Sequence, residues 1–89
     1  MENILKKLPD IEINGKNYRR IIELHNRLIT IGEFVYERVG KMPFNRKEVA
    51  LIRCLSHKIR KFIGTKLPEE KRGIMEDVKH RKSSYWRES

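Results

Sequence analysis

The chain has little from which to build a covalent or metal-bound framework. Cys54 is the only cysteine among the 89 residues, so an intrachain disulfide and a zinc site of several cysteines are both excluded. No apolar run approaches the ~18–20 residues that a membrane-spanning helix needs. The first residues, MENILKK, lack the apolar core of a signal peptide. We therefore expect one small domain, located in the cytosol, with no membrane span.

The motifs of common enzymes are also missing. The sequence has no glycine-rich phosphate loop, no His-Glu-x-x-His, no pair of acids suited to proton transfer and no nucleophile elbow. Cys54 and His57 stand beside Lys58, whose charge would favour a thiolate, but no Asn or Asp is placed to orient the histidine. A metal site made from Cys54, His57 and either His25 or His80 would need ligands from distant segments. We expect neither catalysis nor a bound metal or cofactor.

What the sequence does contain is a well-marked helix over residues 45–63. Asn45 is a favourable N-cap, and Glu48, three residues later, completes the pattern of a capping box. Gly64 suits the left-handed residue that often follows the end of a helix. Both ends of this helix are therefore predicted from local chemistry.

The predicted helix separates apolar from basic residues. At about 100° per residue, its apolar side chains gather into one arc of roughly 160°. They are Val49, Leu51, Ile52, Leu55, Ile59, Phe62 and Ile63. The opposite arc holds Arg46, Lys47, Arg53, His57, Lys58, Arg60 and Lys61. Only the small residues Ala50 and Cys54 interrupt this basic arc, and the single acid, Glu48, lies on the apolar side.

A basic helix face without acids indicates a polyanionic partner. The formal net charge of the chain is +9, and residues 45–63, with six bases and one acid, supply more than half of it. Clustered bases and an isoelectric point near 10.0 are typical of nucleic-acid-binding proteins, because Lys and Arg neutralise phosphates. An acidic protein partner and a solvated face without any partner are the alternatives, and a membrane surface is less favoured.

A second, longer helix is predicted for residues 16–39. Its apolar residues follow the alternating three- and four-residue spacing of a helix–helix seam. They are Tyr18, Ile21, His25, Leu28, Gly32, Val35 and Val39. The break at residues 40–43 is short and contains Gly and Pro, and loops of this length usually join antiparallel neighbours. The two helices should therefore form an antiparallel helical hairpin.

The longer helix has more apolar surface than one partner helix covers. We therefore expect a homodimer, in which two hairpins form a helical bundle. Gly32, on the apolar stripe, predicts a close approach between helices, because a glycine inside a helix is otherwise costly. His25, at the centre of the same stripe, is expected to be a packed and hydrogen-bonded residue rather than a ligand.

The ends of the chain carry weaker signals. Residues 1–14 are predicted to be a short extended N-terminal arm, because Pro9 stops a helix and the residues after it alternate between apolar and polar. A weak C-terminal third helix should begin at Pro68. We expect one helical domain over residues 1–82 and a mobile C-terminal tail over residues 83–89.

Basic and aromatic residues meet in that tail and in the two residues before it. Arg81, Lys82 and Arg87 flank Tyr85 and Trp86, a combination that suits phosphate neutralisation and stacking on exposed bases. In the alternative interpretation, the two aromatic rings dock on apolar surface that the hairpin leaves uncovered. The sequence leaves both interpretations open.

The sequence thus predicts an all-α protein without enzymatic activity that binds DNA or RNA. The predicted contacts are Arg46, Lys47, Arg53, His57, Lys58, Arg60, Lys61, Arg81, Lys82, Tyr85, Trp86 and Arg87. The alternative function is a small protein-interaction module, such as a regulator or inhibitor that docks on an acidic or apolar surface. Phe34 and the wide apolar face of helix 16–39 would make its contacts.

Overall fold

Four α-helices and one 3₁₀ turn make up most of the chain. The computed structural model describes residues 2–86, with side chains from Leu5 onward. The elements are α1 (Glu2–Lys7), the 3₁₀ turn (Leu8–Asp10), α2 (Tyr18–Val39), α3 (Arg46–Gly64) and α4 (Pro68–Glu76). None of the residues in the described range forms a β-strand, so the all-α prediction is confirmed, with one helix more than expected. No helix of that range combines the length and apolar character that crossing a lipid bilayer requires.

The start of α3 follows the predicted capping chemistry. The Asn45 side chain accepts a hydrogen bond from the Glu48 backbone N–H at 2.9 Å, and the Glu48 carboxylate accepts one from the Asn45 N–H at 2.9 Å. The predicted left-handed end at Gly64 is wrong. Gly64 stays in the helix, and Thr65 after it has the right-handed conformation. The positive φ, 75°, belongs instead to Gly40 at the end of α2.

The expected extended arm at the N-terminus is wrong for residues 2–10. These residues form α1 and the 3₁₀ turn, both of which pack on α3, and only residues 11–14 are extended. Leu5 and Leu8, three residues apart, are both buried, because a helical turn brings both to one side where an extended chain would expose one of them. Pro9 lies in the first turn of the 3₁₀ segment, where its missing N–H leaves no hydrogen bond unmade.

The apolar faces of α2 and α3 pack against each other. Tyr18, at the start of α2, stacks on Phe62, near the end of α3, with ring centroids 5.4 Å apart. Farther along, His25 Nε2 lies 2.6 Å from Ser56 Oγ. The most deeply buried side chains are Leu8, His25, Leu28, Ile29, Ile52, Leu55, Ile59, Ile63 and Trp86. The predicted apolar arcs of both helices therefore form the core, but the prediction is wrong for Val39, which is exposed at the end of α2.

The C-terminal segment, residues 77–86, is bonded to α2 at its start. The Asn26 side chain donates a hydrogen bond to the Asp77 carbonyl at 2.7 Å and accepts one from the Lys79 N–H at 2.9 Å. Val78, between the two bonded residues, is buried. These contacts lead the chain from the end of α4 back to the surface of α2.

Glu33 holds the other end of the same segment. Its Oε2 accepts hydrogen bonds from the Lys82 N–H at 2.9 Å and from the Trp86 indole N–H at 3.1 Å. The Trp86 side chain is only 2% exposed and stacks on Phe44, with centroids 6.1 Å apart. Of the two arrangements that the sequence left open, the structure therefore has the docked one for residues 83–86. Residues 87–89 of the expected mobile tail lie outside the described residues.

Gly32 makes the close approach that the sequence predicts, but its neighbour is Trp86 of the same chain. A Cβ on Gly32 would lie 2.6 and 2.7 Å from two ring carbons of Trp86 and 3.1 Å from Met42 Sδ. Ile21 and Leu28, farther along the same stripe, are buried within the chain as well. The apolar surface from which we expected a dimer is thus largely covered by this chain itself.

The contact between Gly32 and Trp86 predicts the effect of a single methyl group. Gly32→Ala should lower the free energy of unfolding by about 1–3 kcal/mol, because the added Cβ forces the indole out of its place. The only tryptophan reports on this site directly, so its emission should move to longer wavelength. Urea unfolding followed by fluorescence measures both effects.

Gly73→Ala is the matched control. Gly73 lies within α4, and a Cβ there would meet nothing within 4 Å. This variant should therefore be more stable than the wild type by up to ~1 kcal/mol through helix propensity alone. Equal stability of Gly32→Ala and the wild type would contradict the packing of Trp86 on α2.

Candidate nucleic-acid interface

One face of α3 carries bases and points away from the core. We call this set the basic face, and it consists of the exposed residues Arg46, Lys47, Arg53, His57, Arg60 and Lys61. The basic face points to solvent because the opposite side of α3 packs into the core, where Val49, Ile52 and Leu55 are buried. Arg46, Arg53 and Arg60 follow one another at seven-residue intervals. This spacing places the three arginines within about 40° of arc and ~10.5 Å apart along the helix axis.

A depression in the basic face lies beside the two small residues of this arc. Ala50 and Cys54 leave space between longer side chains, and the depression has a volume of about 370 Å³. The other residues that line it are Arg53, His57, Arg60 and, from the C-terminal segment, Arg81. None of these lining residues is acidic. We call this depression the arginine pocket.

Arg81 is the wall of the arginine pocket that comes from outside α3. Its side chain is half-buried, and its buried Nε makes no hydrogen bond within the described part of the chain. Burial lowers the pKa of the Arg81 guanidinium, and the positive charges of Arg60 and Arg53 lower it further. A guanidinium starts from so high a pKa that it remains charged. The shift therefore reports that positive charges converge on Arg81.

This convergence was not predicted from the sequence. Arg81 was assigned to phosphate binding, but next to a tail expected to be mobile, without a link to α3. The one available signal was the pair of small residues, Ala50 and Cys54, inside an otherwise long-chained basic arc. That pair indicates a depression in the basic face, but the local pattern does not indicate which residue from another segment lines it.

Lys58 supports the fold and does not belong to the basic face. Its ammonium donates hydrogen bonds to the carbonyls of Leu8 at 3.3 Å, Pro9 at 2.7 Å and Ile11 at 3.1 Å. A lysine ammonium has three N–H donors, so all of them are used within the chain. We therefore correct the prediction that Lys58 contacts nucleic acid, because its ammonium is already hydrogen-bonded at the end of the 3₁₀ turn.

Lys82 follows Arg81 in the sequence but faces α2. Its Nζ forms an ion pair with the Glu37 carboxylate at 3.1 Å and lies 5.1 Å from the centroid of the Tyr85 ring. The hydrogen bond from Lys82 to Glu37, together with the charge of that carboxylate, raises the pKa of Lys82. Of these two consecutive residues, Arg81 therefore places its charge beside α3 and Lys82 places its charge beside α2. The prediction that both contribute to one surface is corrected accordingly.

The aromatic residues at the C-terminal end are engaged with the fold. Tyr85 stacks on Tyr36 with ring centroids 4.4 Å apart, and Trp86 is buried against Gly32. A base could stack on Trp86 only if the indole left the core, so we correct the expectation that it serves as a stacking platform. Arg87 lies outside the described residues, and its role stays a prediction.

Larger depressions on the surface carry charges of both signs. One of about 650 Å³ between α2 and α4 is lined by Arg19, Glu23 and Glu70 among others. Another of about 740 Å³ beside the 3₁₀ turn includes Asp10 and Lys61. Opposite charges at such sites compensate each other, so neither concentrates one sign of potential. The arginine pocket is smaller than both, and its single sign of charge is what distinguishes it.

Comparison with known proteins assigns no family to the chain. No protein-family model matches it, and no curated protein or solved structure is significantly similar to it. Function therefore has to be inferred from the residues that the fold brings together, chiefly the arginines of α3 and Arg81.

Cys54 and His57 both line the arginine pocket, and Cys54 is an exposed free thiol. Within residues 2–86, no group of three or more His, Cys, Asp or Glu side chains is placed to hold a metal ion. The groups that the pocket offers to a ligand are therefore its guanidinium groups, the His57 imidazole and the Cys54 thiol.

A buried polar junction lies on the core side of α3. His25 is 1% exposed, with its Nδ1 3.1 Å from Asn26 Oδ1 and its Nε2 2.6 Å from Ser56 Oγ. Because the Asn26 oxygen also accepts from the Lys79 N–H, the amide orientation is fixed and His25 Nδ1 must be the donor. In the neutral ring, Nε2 is then the acceptor for the Ser56 hydroxyl at 2.6 Å, in competition with the Ile52 carbonyl at 3.2 Å from the same Oγ. This confirms that His25 is a packed, hydrogen-bonded residue.

The environment of His25 predicts a stability that depends on pH. Burial, opposed by the Asn26 hydrogen bond and assisted by the charges of Arg81 and Arg60, lowers the pKa of His25 below its ordinary 6.5. The unfolded chain therefore binds a proton first as the pH falls. The free energy of unfolding should be constant above about pH 6.5 and decrease below it, by up to ~1.4 kcal/mol per pH unit, until the folded-state pKa is reached.

Urea unfolding of the wild type and of His25→Gln at about pH 7.5, 6 and 5 tests this dependence. The variant should lose most of the slope in that interval, while His80→Gln, at an exposed position, should keep it. An unchanged slope in His25→Gln would assign the dependence to other groups.

The three hydrogen bonds of Lys58 predict a structural role that its neighbour lacks. Lys58→Met should lower the free energy of unfolding by about 1.5–3 kcal/mol, the usual range for hydrogen bonds of a charged group. Lys61→Met, at an exposed position of α3, should change it by about 0.5 kcal/mol or less. Urea denaturation compares the two, and equal effects would show that Lys58 does not hold the 3₁₀ turn.

Proposed function

We propose that this chain is a non-enzymatic nucleic-acid-binding protein whose contact surface is the basic face of α3 together with Arg81. The observation that carries the proposal is the row of Arg46, Arg53 and Arg60, which Arg81 joins at the arginine pocket. Guanidinium groups at regular intervals suit a repeating anion, because each can meet one or two phosphate oxygens. In this proposal α2 and α3 act as an antiparallel helical hairpin that keeps the face rigid.

The length of the arginine row fits a duplex backbone. From Arg46 to Arg60 the distance along the helix axis is ~21 Å. B-DNA presents about twelve phosphates over that length, counting both strands, and a single helix faces fewer than half of them. Roughly four to six phosphate contacts are therefore within reach of the basic face and Arg81. Such contacts fix position on a backbone without reading the bases, so they suit DNA and RNA alike.

The proposal needs only one chain, because every residue of the contact surface belongs to the same α3 and C-terminal segment. Dimerisation stays a prediction, which sedimentation at micromolar concentration would test. The apolar stripe of α2 is a weaker argument for a dimer than it is in the sequence alone, because Trp86 of the same chain covers Gly32.

The alternative of a protein-docking module has less support. Phe34 is 55% exposed, but the Arg38 guanidinium lies 4.3 Å from the centroid of its ring. Val39, 65% exposed, lies five residues farther along and on another side of α2. Single exposed apolar residues are normal on protein surfaces, whereas a docking face needs a continuous patch.

Removing the arginine row should weaken nucleic-acid binding and its dependence on salt. In the variant Arg46→Gln, Arg53→Gln, Arg60→Gln, the log–log salt slope should fall from roughly −4 or −5 to roughly −1 or −2, since each lost phosphate contact removes ~0.9. Fluorescence anisotropy with a labelled DNA duplex and a labelled single-stranded RNA, between about 50 and about 300 mM salt, measures the slope.

The control variant carries the same loss of charge elsewhere. Arg20→Gln, Arg27→Gln, Arg72→Gln removes three exposed arginines from α2 and α4 and should keep the wild-type slope. If both triple variants behave alike, binding follows net charge and the basic face is not the site. If polyglutamate of matched charge competes as well as the nucleic acid does, an acidic protein becomes the better partner.

A further inference from the structure

Three arginines from two separate segments meet at the arginine pocket. Arg53 and Arg60 stand on the exposed side of α3, and Arg81 reaches the same depression from the C-terminal segment. His57 lies between the two helical arginines in sequence and adds one or two N–H donors. A set of donors that approaches one small volume from two sides is the arrangement that holds a compact anion with several acceptor oxygens.

One donor of the pocket has no partner within the described part of the chain. Arg81 Nε is buried, so water reaches it poorly, and it makes no hydrogen bond there. Buried N–H groups are nearly always bonded, and an exception usually marks a place for a ligand or an ordered water. The two terminal nitrogens of the same guanidinium lie in one plane with Nε, and they can hold a single anion by a fork of two parallel bonds.

The fold fixes Arg81 in this position from both sides. Asn26 bonds to residues 77 and 79 before it, and Glu33 bonds to Lys82 and Trp86 after it. These bonds hold the backbone on either side of Arg81 so that its side chain lines the same pocket as Arg60 and Arg53, whose charges lower its pKa. Preorganised donors lose little conformational freedom when a ligand arrives, which favours binding.

The geometry points to a seat for a single phosphate group in the arginine pocket, with Arg81 as its inner donor and Arg60, Arg53 and His57 around it. This inference rests on the proposed function for the origin of the phosphate, which would be a nucleic-acid backbone. A free phosphate ester would meet the same donors, so the chemistry of the seat is common to both sources. The volume of about 370 Å³ suits one such group rather than an extended ligand.

The first test uses inorganic phosphate at constant ionic strength, with chloride as the balancing anion. At ten times its dissociation constant, phosphate should raise the melting temperature of the wild type by about 5–10 °C. The Arg81 Nε–Hε resonance should shift during the same titration in an NMR spectrum. In Arg81→Met and in Arg60→Met, the phosphate-dependent rise should be lost, and Arg60 is exposed on α3, so its replacement leaves the fold intact.

Lys82→Met is the matched control for Arg81→Met. It removes the same charge from the neighbouring residue, which faces Glu37 on α2. It should keep the phosphate-dependent rise in melting temperature. Without phosphate, Arg81→Met should melt no lower than the control, because it relieves the repulsion from Arg60. Equal responses of the wild type and Arg81→Met to phosphate, or an immobile Arg81 resonance, would overturn the seat.

Nucleic-acid binding by the same two variants separates the seat from the proposed function. If the seat holds a backbone phosphate, Arg81→Met should lose about tenfold in affinity relative to Lys82→Met. Phosphate binding without any nucleic-acid binding would keep the seat, assign it to a free phosphate ester and refute the proposed function. Nucleic-acid binding that is equal in both variants, with no phosphate response, would refute the seat and leave the proposed function standing.

Discussion

The position of the C-terminal segment depends on the hydrogen bonds that the buried carboxylate of Glu33 accepts. A buried carboxylate is costly unless hydrogen bonds replace its water, and here one oxygen accepts from both the Lys82 N–H and the Trp86 indole. Those two bonds bring the indole over Gly32, where any other residue would collide with it. The same bonds end the C-terminal segment against α2 and so place Arg81 at the edge of α3. Core and candidate site therefore share one anchor.

That anchor also explains how the charges of the C-terminal segment are divided. Because the Lys82 backbone is bound to Glu33, its side chain points along α2 and meets Glu37. Arg81, one residue earlier, is turned to the other side and meets Arg60 and Arg53. The acids of α2 are thus used on Lys82, while the bases of α3 gain one more cation. The fold thus neutralises one of these two neighbouring bases and places the other beside further positive charge.

The features of α3 that the sequence predicts correctly are those that depend on residues close together in the chain. The Asn45 capping box, the extent of α3 to within a residue or two and the burial of its apolar arc all depend on residues a few positions apart. The roles of Trp86 and Lys58 depend instead on partners 53 and up to 50 residues away. Such distant bonds leave no periodic pattern in the sequence, so the sequence predicts that Trp86 is part of a tail. Lys58 was counted as a surface base for the same reason. Arg81 was placed among the binding residues but not beside α3.

The free-energy cost of bringing like charges together has to be offset by stabilising contacts elsewhere in a small protein. A chain of this size buries a modest share of its surface and has a narrow margin of stability. Asn26 and Glu33 nevertheless hold Arg81 where burial and two other arginines oppose its charge. Fixed contacts that maintain an unfavourable local arrangement are typical of functional sites, because a ligand of opposite charge turns the repulsion into binding energy. By this reasoning the arginine pocket is the part of the surface that we propose for a partner, and its charge favours an anion.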